Sequence, residues 1–233
     1  MKFKILLITF SWIFQTIASQ TLSGLKLNNR ANGLNYLNSF VSENGSDIWV
    51  CGEMGQILKL GPDGKFQSRN KNISSECTIY DIFFHKNNKD GWAVGSNGLV
   101  YKTQDGGESW GDGPITSNTK NNLTDISFDE VGNGIIVGEK GTILRIHSNS
   151  LEPKPLSFHF NTTISGCVSG DGENIIYGVD GDLFLNSGEK TFHSDLIGYS
   201  RQVSATIGNI TDLKYCKSKK YLLASLTREL SLN

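Results

Sequence analysis

The sequence predicts an all-β protein assembled from a series of small antiparallel sheets, and three observations predict it. The first is composition: the 233 residues include 26 glycines but only four prolines and two methionines, which suits many tight turns between short strands. The second is that the apolar segments are short, β-branched and interrupted by glycine, whereas helical repeats would show an apolar period of about 3.6 residues. The third is an internal repeat of strand, turn and strand.

This repeat is organised around a Gly-x-x-Gly turn. The first glycines of four successive copies are 43, 43 and 40 residues apart. A short apolar segment stands upstream of each turn, and the same offset measured from Asp212 leads to a fifth copy with Ser225 and Arg228 in place of the glycines. The turn glycines of the four clear copies are Gly52 and Gly55, Gly95 and Gly98, Gly138 and Gly141, and Gly178 and Gly181.

Each copy therefore has three short strands and room for a fourth. One such sheet cannot bury its own faces, but sheets packed face to face around an axis can, and a period of about 40–45 residues is typical of a β-propeller. We expect about five four-stranded blades, with copies at about 36–77, 78–120, 121–161, 162–206 and 207–233. Residues 21–27 are strand-like and would supply the outer strand missing from the last blade, which would close the ring. The alternative is an incomplete larger ring.

The first 19 residues have the layout of a secretory signal peptide. Lys2 and Lys4 form a positive start, an apolar stretch runs over residues 5–14, and small residues follow at Ala18 and Ser19. The apolar run is shorter than the roughly 20 residues that a bilayer-spanning helix needs. We expect cleavage near residue 19 and export of a propeller domain spanning 20–233 to an extracellular, periplasmic or lumenal compartment.

Export gives two residue sets a meaning. Five sequons could carry N-linked glycans in a eukaryotic secretory pathway, although triplets of this kind also arise by chance. Four cysteines could pair as disulfides in an oxidising compartment or remain buried thiols. The sequons are at Asn44, Asn72, Asn122, Asn161 and Asn209, and the cysteines are Cys51, Cys77, Cys167 and Cys216.

Charge and metal-ligand patterns exclude several function classes. The net charge is −1 and the isoelectric point about 6.4, so the chain lacks the basic field that nucleic-acid binding requires. The cysteines have no CxxC spacing, and the four histidines fall in different copies. We expect neither a metal nor a cofactor.

One segment carries a specific motif. Residues 103–110 read Thr-Gln-Asp-Gly-Gly-Glu-Ser-Trp and match every defined position of the Asp-box, or bacterial neuraminidase repeat. The expected role is structural, because the aspartate can accept hydrogen bonds from its own turn while the tryptophan packs between strands. The defined positions are Thr103, Asp105, Gly107, Ser109 and Trp110.

The stretch from Ile82 to Trp110, in which Gly91-Trp92-Ala93-Val94-Gly95 runs into the Asp-box, resembles the photosystem II stability/assembly factor family. The resemblance extends through the repeat over residues 36–192. It implies a propeller that binds other proteins during assembly or at the cell surface, without catalysis. Members of that family usually have seven blades, and many come from organisms without photosynthesis, so the photosystem role itself does not transfer.

An enzymatic alternative is a sialidase-like glycoside hydrolase, since sialidases are propellers that bear Asp-boxes. Such a site needs three arginines around a carboxylate and a tyrosine nucleophile with a glutamate. This chain has five arginines in all, and none lies in the N-terminal motif expected of that family. We predict a non-enzymatic protein-binding or assembly scaffold, with the hydrolase and a carbohydrate-binding or adhesion module as alternatives.

Overall fold

A computed structural model describes residues 4–7, 36–42, 45–147, 154–155, 163–170, 173–178, 183–187, 190–192, 209–216 and 221–227. Its side chains are described for 37–42, 45–147, 163–169 and 176–178. Within these residues the regular structure consists of short strands and two single 3₁₀ turns. None of the described segments is a helix of the length and apolarity that a bilayer crossing requires.

The strands form five sheets along the chain. Sheet 1 contains β2 (Tyr36–Val41), β3 (Ile48–Gly52), β4 (Ile57–Leu60) and β5 (Phe66–Ser68), and sheet 2 contains β6 (Ile79–Phe84), β7 (Gly91–Gly95) and β8 (Val100–Thr103). Sheet 3 contains β9 (Leu123–Phe128), β10 (Gly134–Gly138), β11 (Ile143–Ile146) and β12 (Lys154–Pro155). Sheet 4 contains β13 (Ile164–Gly170), β14 (Glu173–Gly178), β15 (Leu183–Ser187) and β16 (Lys190–Phe192). Sheet 5 contains β17 (Asn209–Cys216), β18 (Tyr221–Thr227) and β1 (Lys4–Leu7).

Neighbouring strands are antiparallel in every sheet except at β1, which pairs in parallel with β18. The predicted all-β fold of antiparallel sheets is thus confirmed. Four strands are present in sheets 1, 3 and 4, whereas the described part of sheet 2 has three. An isolated bridge between Val100 and Ile115 stands where a fourth strand of sheet 2 would pair.

The first strand of every sheet has a β-bulge at the same repeat position. The residue that follows the bulge is Asn38, Asp81, Asp125, Gly166 or Asp212 in sheets 1 to 5. In sheet 5 the register pairs Ile210 with Leu226, as Ile79 pairs with Gly95 in sheet 2. Sheet 5 therefore has the same strand register as the other sheets, but Leu226 and not Ser225 takes the place of the first turn glycine. The predicted position of this residue, obtained by counting from Asp212, was wrong by one residue, because no glycine marks the turn.

The sheets stack in chain order. The first strands contact one another in the sequence β2, β6, β9, β13 and β17. An apolar cluster fills each of the first three interfaces: Trp49, Cys51 and Ile57 meet the Ile82 face of sheet 2, Trp92 and Val94 meet the Ile126 face of sheet 3, and Ile135 and Val137 meet the Cys167 face of sheet 4. Since the second strands β7 and β10 are covered on both faces, every residue in them is buried. Their sequences accordingly read as continuous apolar runs rather than alternating ones.

The N-terminal predictions relate to this fold in different ways. Strand β1 lies inside the segment 1–19 expected to be a signal peptide, and cleavage there would remove it from sheet 5. Residues 21–27, predicted to be the closing strand, lie outside the described residues, so that strand stays a prediction. Signal cleavage and the boundaries of the mature domain stay predictions as well.

Candidate functional site

The Asp-box turn, which we define as residues 103–110, begins where β8 ends at Thr103. The Thr103 hydroxyl donates to Asp105 Oδ1 at 2.7 Å and accepts the N–H of Gly107 at 2.9 Å. Asp105 Oδ1 also accepts the N–H of Ser109 at 3.0 Å, and Asp105 Oδ2 accepts the Ser109 hydroxyl at 2.6 Å. Both oxygens of the Asp105 carboxylate therefore accept hydrogen bonds from residues of the Asp-box turn itself.

These contacts set the ionisation of Asp105. Partial removal from water acts to raise the pKa, but hydrogen bonds from Ser109 and Thr103 outweigh it and lower the pKa to about 2. A general acid in a glycosidase needs a raised pKa, near the working pH, so that it holds a proton to donate. Asp105 is fully ionised at neutral pH and is hydrogen-bonded as a structural group.

The apolar part of the Asp-box turn reaches into sheet 1. Trp110 is fully buried, its indole Nε1–H donates to the carbonyl of Arg69 at 2.7 Å, and its backbone N–H donates to the carbonyl of Lys71 at 3.2 Å. Gly107 has φ +79°, and a Cβ there would lie 2.7 Å from the Trp49 ring. The turn thus ties β8 to the segment that leaves β5.

Two polar contacts cross the same interface at its surface. Asn72 Nδ2 donates to the carbonyl of Gly111 at 2.5 Å. Arg69 Nε lies 3.1 Å from Glu108 Oε1, an ion pair whose N–H is not aligned for a hydrogen bond. The Glu108 side chain is 65% exposed, so solvent screens this pair and it contributes little to stability.

The Gly-x-x-Gly turns connect the second and third strands of sheets 1 to 3. Gly55, Gly98 and Gly141 have φ between +62° and +72°, and the residue before each of them also has positive φ. Gly95 has extended backbone, and a Cβ there would overlap the carbonyl of Thr78 at the start of its own sheet. Gly52 and Gly138 occupy the same turn position, and Gly178 ends β14. Gly181 lies outside the described residues.

The asparagines of the sequons differ in their hydrogen bonding and exposure. Asn122 is engaged at both ends of its amide: Nδ2 donates to Glu139 Oε1 at 2.9 Å, and Oδ1 accepts the N–H of Asn97 at 3.0 Å. Asn72 is exposed. Asn44 and Asn161 lie outside the described residues, as does the side chain of Asn209. Glycosylation at the five positions stays a prediction.

Three of the cysteines are free thiols in the core. Cys51, Cys77 and Cys167 are buried and unpaired by disulfides, and burial raises the pKa of each thiol. Of the two alternatives left open by the sequence, the structure has the buried thiol at these three positions. Such thiols are poor nucleophiles, because the reactive form is the thiolate. Cys216 lies in β17, and its side chain is outside the described part.

Asp81 has a buried carboxylate that joins two sheets, a role that sequence reasoning did not predict. Asp81 is 6% exposed; its Oδ1 accepts Asn38 Nδ2 at 2.7 Å and its Oδ2 accepts the N–H of Ile126 at 3.1 Å. Asp125 Oδ2 in turn accepts the N–H of Cys167 at 2.7 Å. The available signal was the recurrence of Asn or Asp at one repeat position, residues 38, 81, 125 and 212.

Ligand-binding features are few in the described part of the chain. An open cleft of about 400 Å³ lies beside the Asp-box turn, lined by Lys102, Gln104, Asp105, Ser109, Gly111, Asp112, Gly113 and Ile115. His85 packs edge-on against Phe83 and Phe128, and burial lowers its pKa. Among the residues described, no three His, Cys, Asp or Glu side chains gather as a metal site would require.

The part of the chain that matches a known protein family includes the Asp-box turn. Residues 42–147 match the family model described as "Photosynthesis system II assembly factor YCF48". The photosystem II assembly lipoprotein Ycf48 of Synechococcus sp. (strain CC9605) is 30% identical over 107 residues, which cover 45% of this chain and 32% of the relative. The Ycf48 lipoprotein of Prochlorococcus marinus (strain MIT 9313) is 40% identical over 106 residues, covering 42% of this chain and 31% of the relative.

A chloroplastic relative and a solved structure complete the comparison. The photosystem II stability/assembly factor HCF136 of Arabidopsis thaliana is 30% identical over 67 residues, 29% of this chain and 16% of the relative. YCF48 from Cyanidioschyzon merolae superposes with a TM-score of 0.47 at 17% identity, over 60% of this chain and 47% of that one. The chain thus spans about a third or less of the length of these curated relatives. The resemblance to the photosystem II assembly factor-like repeat is confirmed over residues 42–147.

Proposed function

We propose that this protein is an exported, non-enzymatic β-propeller that serves as a protein-binding or assembly scaffold. The observation that carries the proposal is the structural role of the Asp-box turn, the most specific motif of the chain. Its polar groups hydrogen-bond to one another, and its tryptophan hydrogen-bonds to the neighbouring sheet. A motif used in this way builds a rigid platform and leaves binding to the surface loops.

The relatives support this proposal by name. Curated relatives of this chain are called assembly proteins or stability/assembly factors rather than enzymes. The Synechococcus relative is called a lipoprotein and the Arabidopsis relative chloroplastic, which supports a location outside the cytoplasm for this chain. The partner that we propose is a protein.

The scaffold can be tested by affinity capture with the chain as bait. Extracts of the secreted or extracytoplasmic fraction are passed over the immobilised protein and over a Trp110→Ala variant whose platform is broken. The proposal expects a partner that the wild-type chain retains and the variant loses. Capture of chaperones alone, or equal capture by both baits, would contradict a folded binding platform. Hydrolysis of a fluorogenic sialoside by the wild-type chain would favour the glycosidase instead.

The proposal of a closed ring of about five blades is supported by the exposure of Val41 at the end of β2. Val41 is 55% exposed, yet the residues at its repeat position in sheets 2 and 3, Phe84 and Phe128, are only 5% and 7% exposed because the preceding sheet covers them. An apolar position that is buried in sheets 2 and 3 is where a closing blade would pack on sheet 1, and sheet 5 is the blade that we propose.

Substitution of Val41 tests closure. If sheet 5 covers this face, Val41→Asp buries an unpaired charge and lowers the free energy of unfolding by several kcal/mol, on the order of 3. The matched control is Val131→Asp, since Val131 is 72% exposed in the β9–β10 turn and should tolerate the change. Equal, small effects of both substitutions would show that the ring is open at sheet 1.

A further inference from the structure

The first strands of sheets 1 to 4 are joined by a chain of polar contacts that the proposed function does not use. Asn38 of sheet 1 donates to Asp81 of sheet 2, and Asp125 of sheet 3 accepts the N–H of Cys167 of sheet 4. Between them, the N–H of Ile126 is shared by Asp81 Oδ2 at 3.1 Å and Asp125 Oδ1 at 2.9 Å. Asp81 and Asp125 therefore approach each other where sheets 2 and 3 meet.

Because an oxygen of each carboxyl group lies within hydrogen-bond distance of the same N–H, the two groups are neighbours at the interface of sheets 2 and 3. Two ionised carboxylates have only acceptors and cannot hydrogen-bond to each other, whereas a protonated carboxyl group can donate to its neighbour. Like charges this close inside a protein cannot both ionise without a large cost in free energy. The proximity of the two groups and the burial of Asp81 thus favour one shared proton over two charges.

We propose that Asp81 and Asp125 hold one shared, buried proton that joins sheets 2 and 3, and that losing it at rising pH loosens this joint. The inference stands on the internal packing of the sheets and does not depend on the proposed function. When the proton is lost, repulsion between two carboxylates replaces a hydrogen bond between the sheets. The acid pair would then act as a pH-sensitive element between consecutive blades.

The ionisable groups that face the pair from the surrounding elements are two thiols and a phenol. Cys51 of β3 and Cys167 of β13 face the pair, and burial followed by the nearby carboxylates raises the pKa of both thiols well above 9.0. From β14, the phenol of Tyr177 faces Asp125 across the space left by Gly166. From β2 the facing group is the neutral amide of Asn38.

The direction of the pH dependence follows from the ionisation of the pair. Burial, and then the charge of Asp125, raise the pKa of Asp81 well above its ordinary value. The folded chain therefore keeps a proton at pH values where the unfolded chain has lost it. The pair's contribution to stability is therefore complete below the ordinary carboxyl pKa and is lost as pH rises through the raised pKa, by at most about tenfold in the folding equilibrium constant per pH unit for one proton.

The test compares the wild-type chain with Asp81→Asn by denaturant unfolding from about pH 4 to about pH 8. Asparagine imitates the protonated acid: its carbonyl can accept Asn38 Nδ2, its amide can donate to Asp125, and Ile126 keeps Asp125 as acceptor. We expect the wild type to lose stability relative to Asp81→Asn as pH rises. Asp63→Asn is the control, because Asp63 is exposed and its bond to the Lys65 N–H suits an amide carbonyl equally well.

Parallel stability profiles for the wild type and Asp81→Asn would overturn the proposal. If Asp81→Asn fails to fold, infrared spectroscopy of the wild-type chain decides instead. A carbonyl stretch of a protonated carboxylic acid that persists above the ordinary carboxyl pKa and is lost as the pH rises further is the expected result. A spectrum in which that stretch is already lost at the ordinary carboxyl pKa would contradict a shared proton.

Discussion

Sheets 2 and 3 have the same three strands, the same bulge and the same turn, but they differ at their outer edge. In sheet 3 the third strand β11 pairs with a short fourth strand, β12. In sheet 2 the chain leaves β8 through the Asp-box turn, which inserts Trp110 against sheet 1 and returns to β8 at one bridge, Val100 with Ile115. The outer edge of sheet 3 is a fourth strand, whereas the outer edge of sheet 2 is a turn that contacts sheet 1.

This difference shows that two kinds of contact hold neighbouring sheets together. Apolar clusters are present at each of the first three interfaces and follow directly from the repeat. The interface between sheets 1 and 2 adds the Asp-box turn at the outer side, whereas the interface between sheets 2 and 3 has the Asp81–Asp125 pair at its first strands. We expect substitutions in the Asp-box turn to weaken the first interface and spare the second.

The largest effect is expected for Trp110→Ala. The substitution empties a fully buried site and removes the hydrogen bond to the Arg69 carbonyl, so the free energy of unfolding should fall by about 3–5 kcal/mol. Trp92→Ala is the matched control, because Trp92 is 3% exposed between sheets 2 and 3. Denaturant unfolding measures both losses, and a loss below about 1 kcal/mol for Trp110→Ala would refute its role in the interface.

A somewhat smaller effect is expected for Gly107→Ala. The new Cβ meets the Trp49 ring and the left-handed backbone disfavours it, for a combined loss of about 2–4 kcal/mol. Gly111→Ala separates the two causes: Gly111 has φ +61°, but its nearest neighbour would be 3.6 Å from the Cβ, so only the backbone cost of about 1 kcal/mol remains. Equal losses of stability in the two variants would mean that the contact with Trp49 is irrelevant.

Asp105→Ala should cost about 1 kcal/mol at neutral pH, since it removes hydrogen bonds from Ser109 and Thr103 at an exposed site where water replaces them in part. The pKa of Asp105 is lowered to about 2, so its contribution is present above about pH 4 and is lost as pH falls through about 2. The difference in stability between the wild type and the variant should shrink accordingly on acidification. A difference that grows toward low pH would contradict the structural role.

The smallest effect is expected for Glu108→Gln. Because Glu108 is mostly exposed, its ion pair with Arg69 should contribute about 0–1 kcal/mol and less at high salt. Unfolding at low and high ionic strength measures this contribution. A loss comparable to that of Trp110→Ala would show that charge, rather than the buried indole, holds the turn to sheet 1.

Sequence reasoning predicted the features that a short local pattern determines. The period of the glycine turns and the continuous apolar runs at β7 and β10 predicted the sheets and their order, because those residues are buried on both faces. The Asp-box pattern predicted that a carboxylate would bind its own turn. Within each copy, the residues that form these patterns lie close together in the sequence.

Contacts between copies could not be predicted in the same way. Trp110 was expected to pack between strands, but its partners are carbonyls about 40 residues earlier, and no local signal names Arg69. Asp81 stood in the repeat as a marker of the first strand, and only the stacking of the sheets brings it to Asp125. The fifth copy was misaligned by one residue because Leu226 replaces the glycine that sets the turn.

Hydrogen exchange on the full chain tests most directly whether the Asp-box turn joins two sheets. The amides of residues 69–72 and 103–111 are followed in the wild type and in Trp110→Ala, with 134–146 of sheet 3 as the internal reference. We predict that both segments lose protection together while sheet 3 keeps its own. Loss confined to 103–111, with 69–72 unchanged, would show that the turn stabilises only its own sheet and would contradict the account.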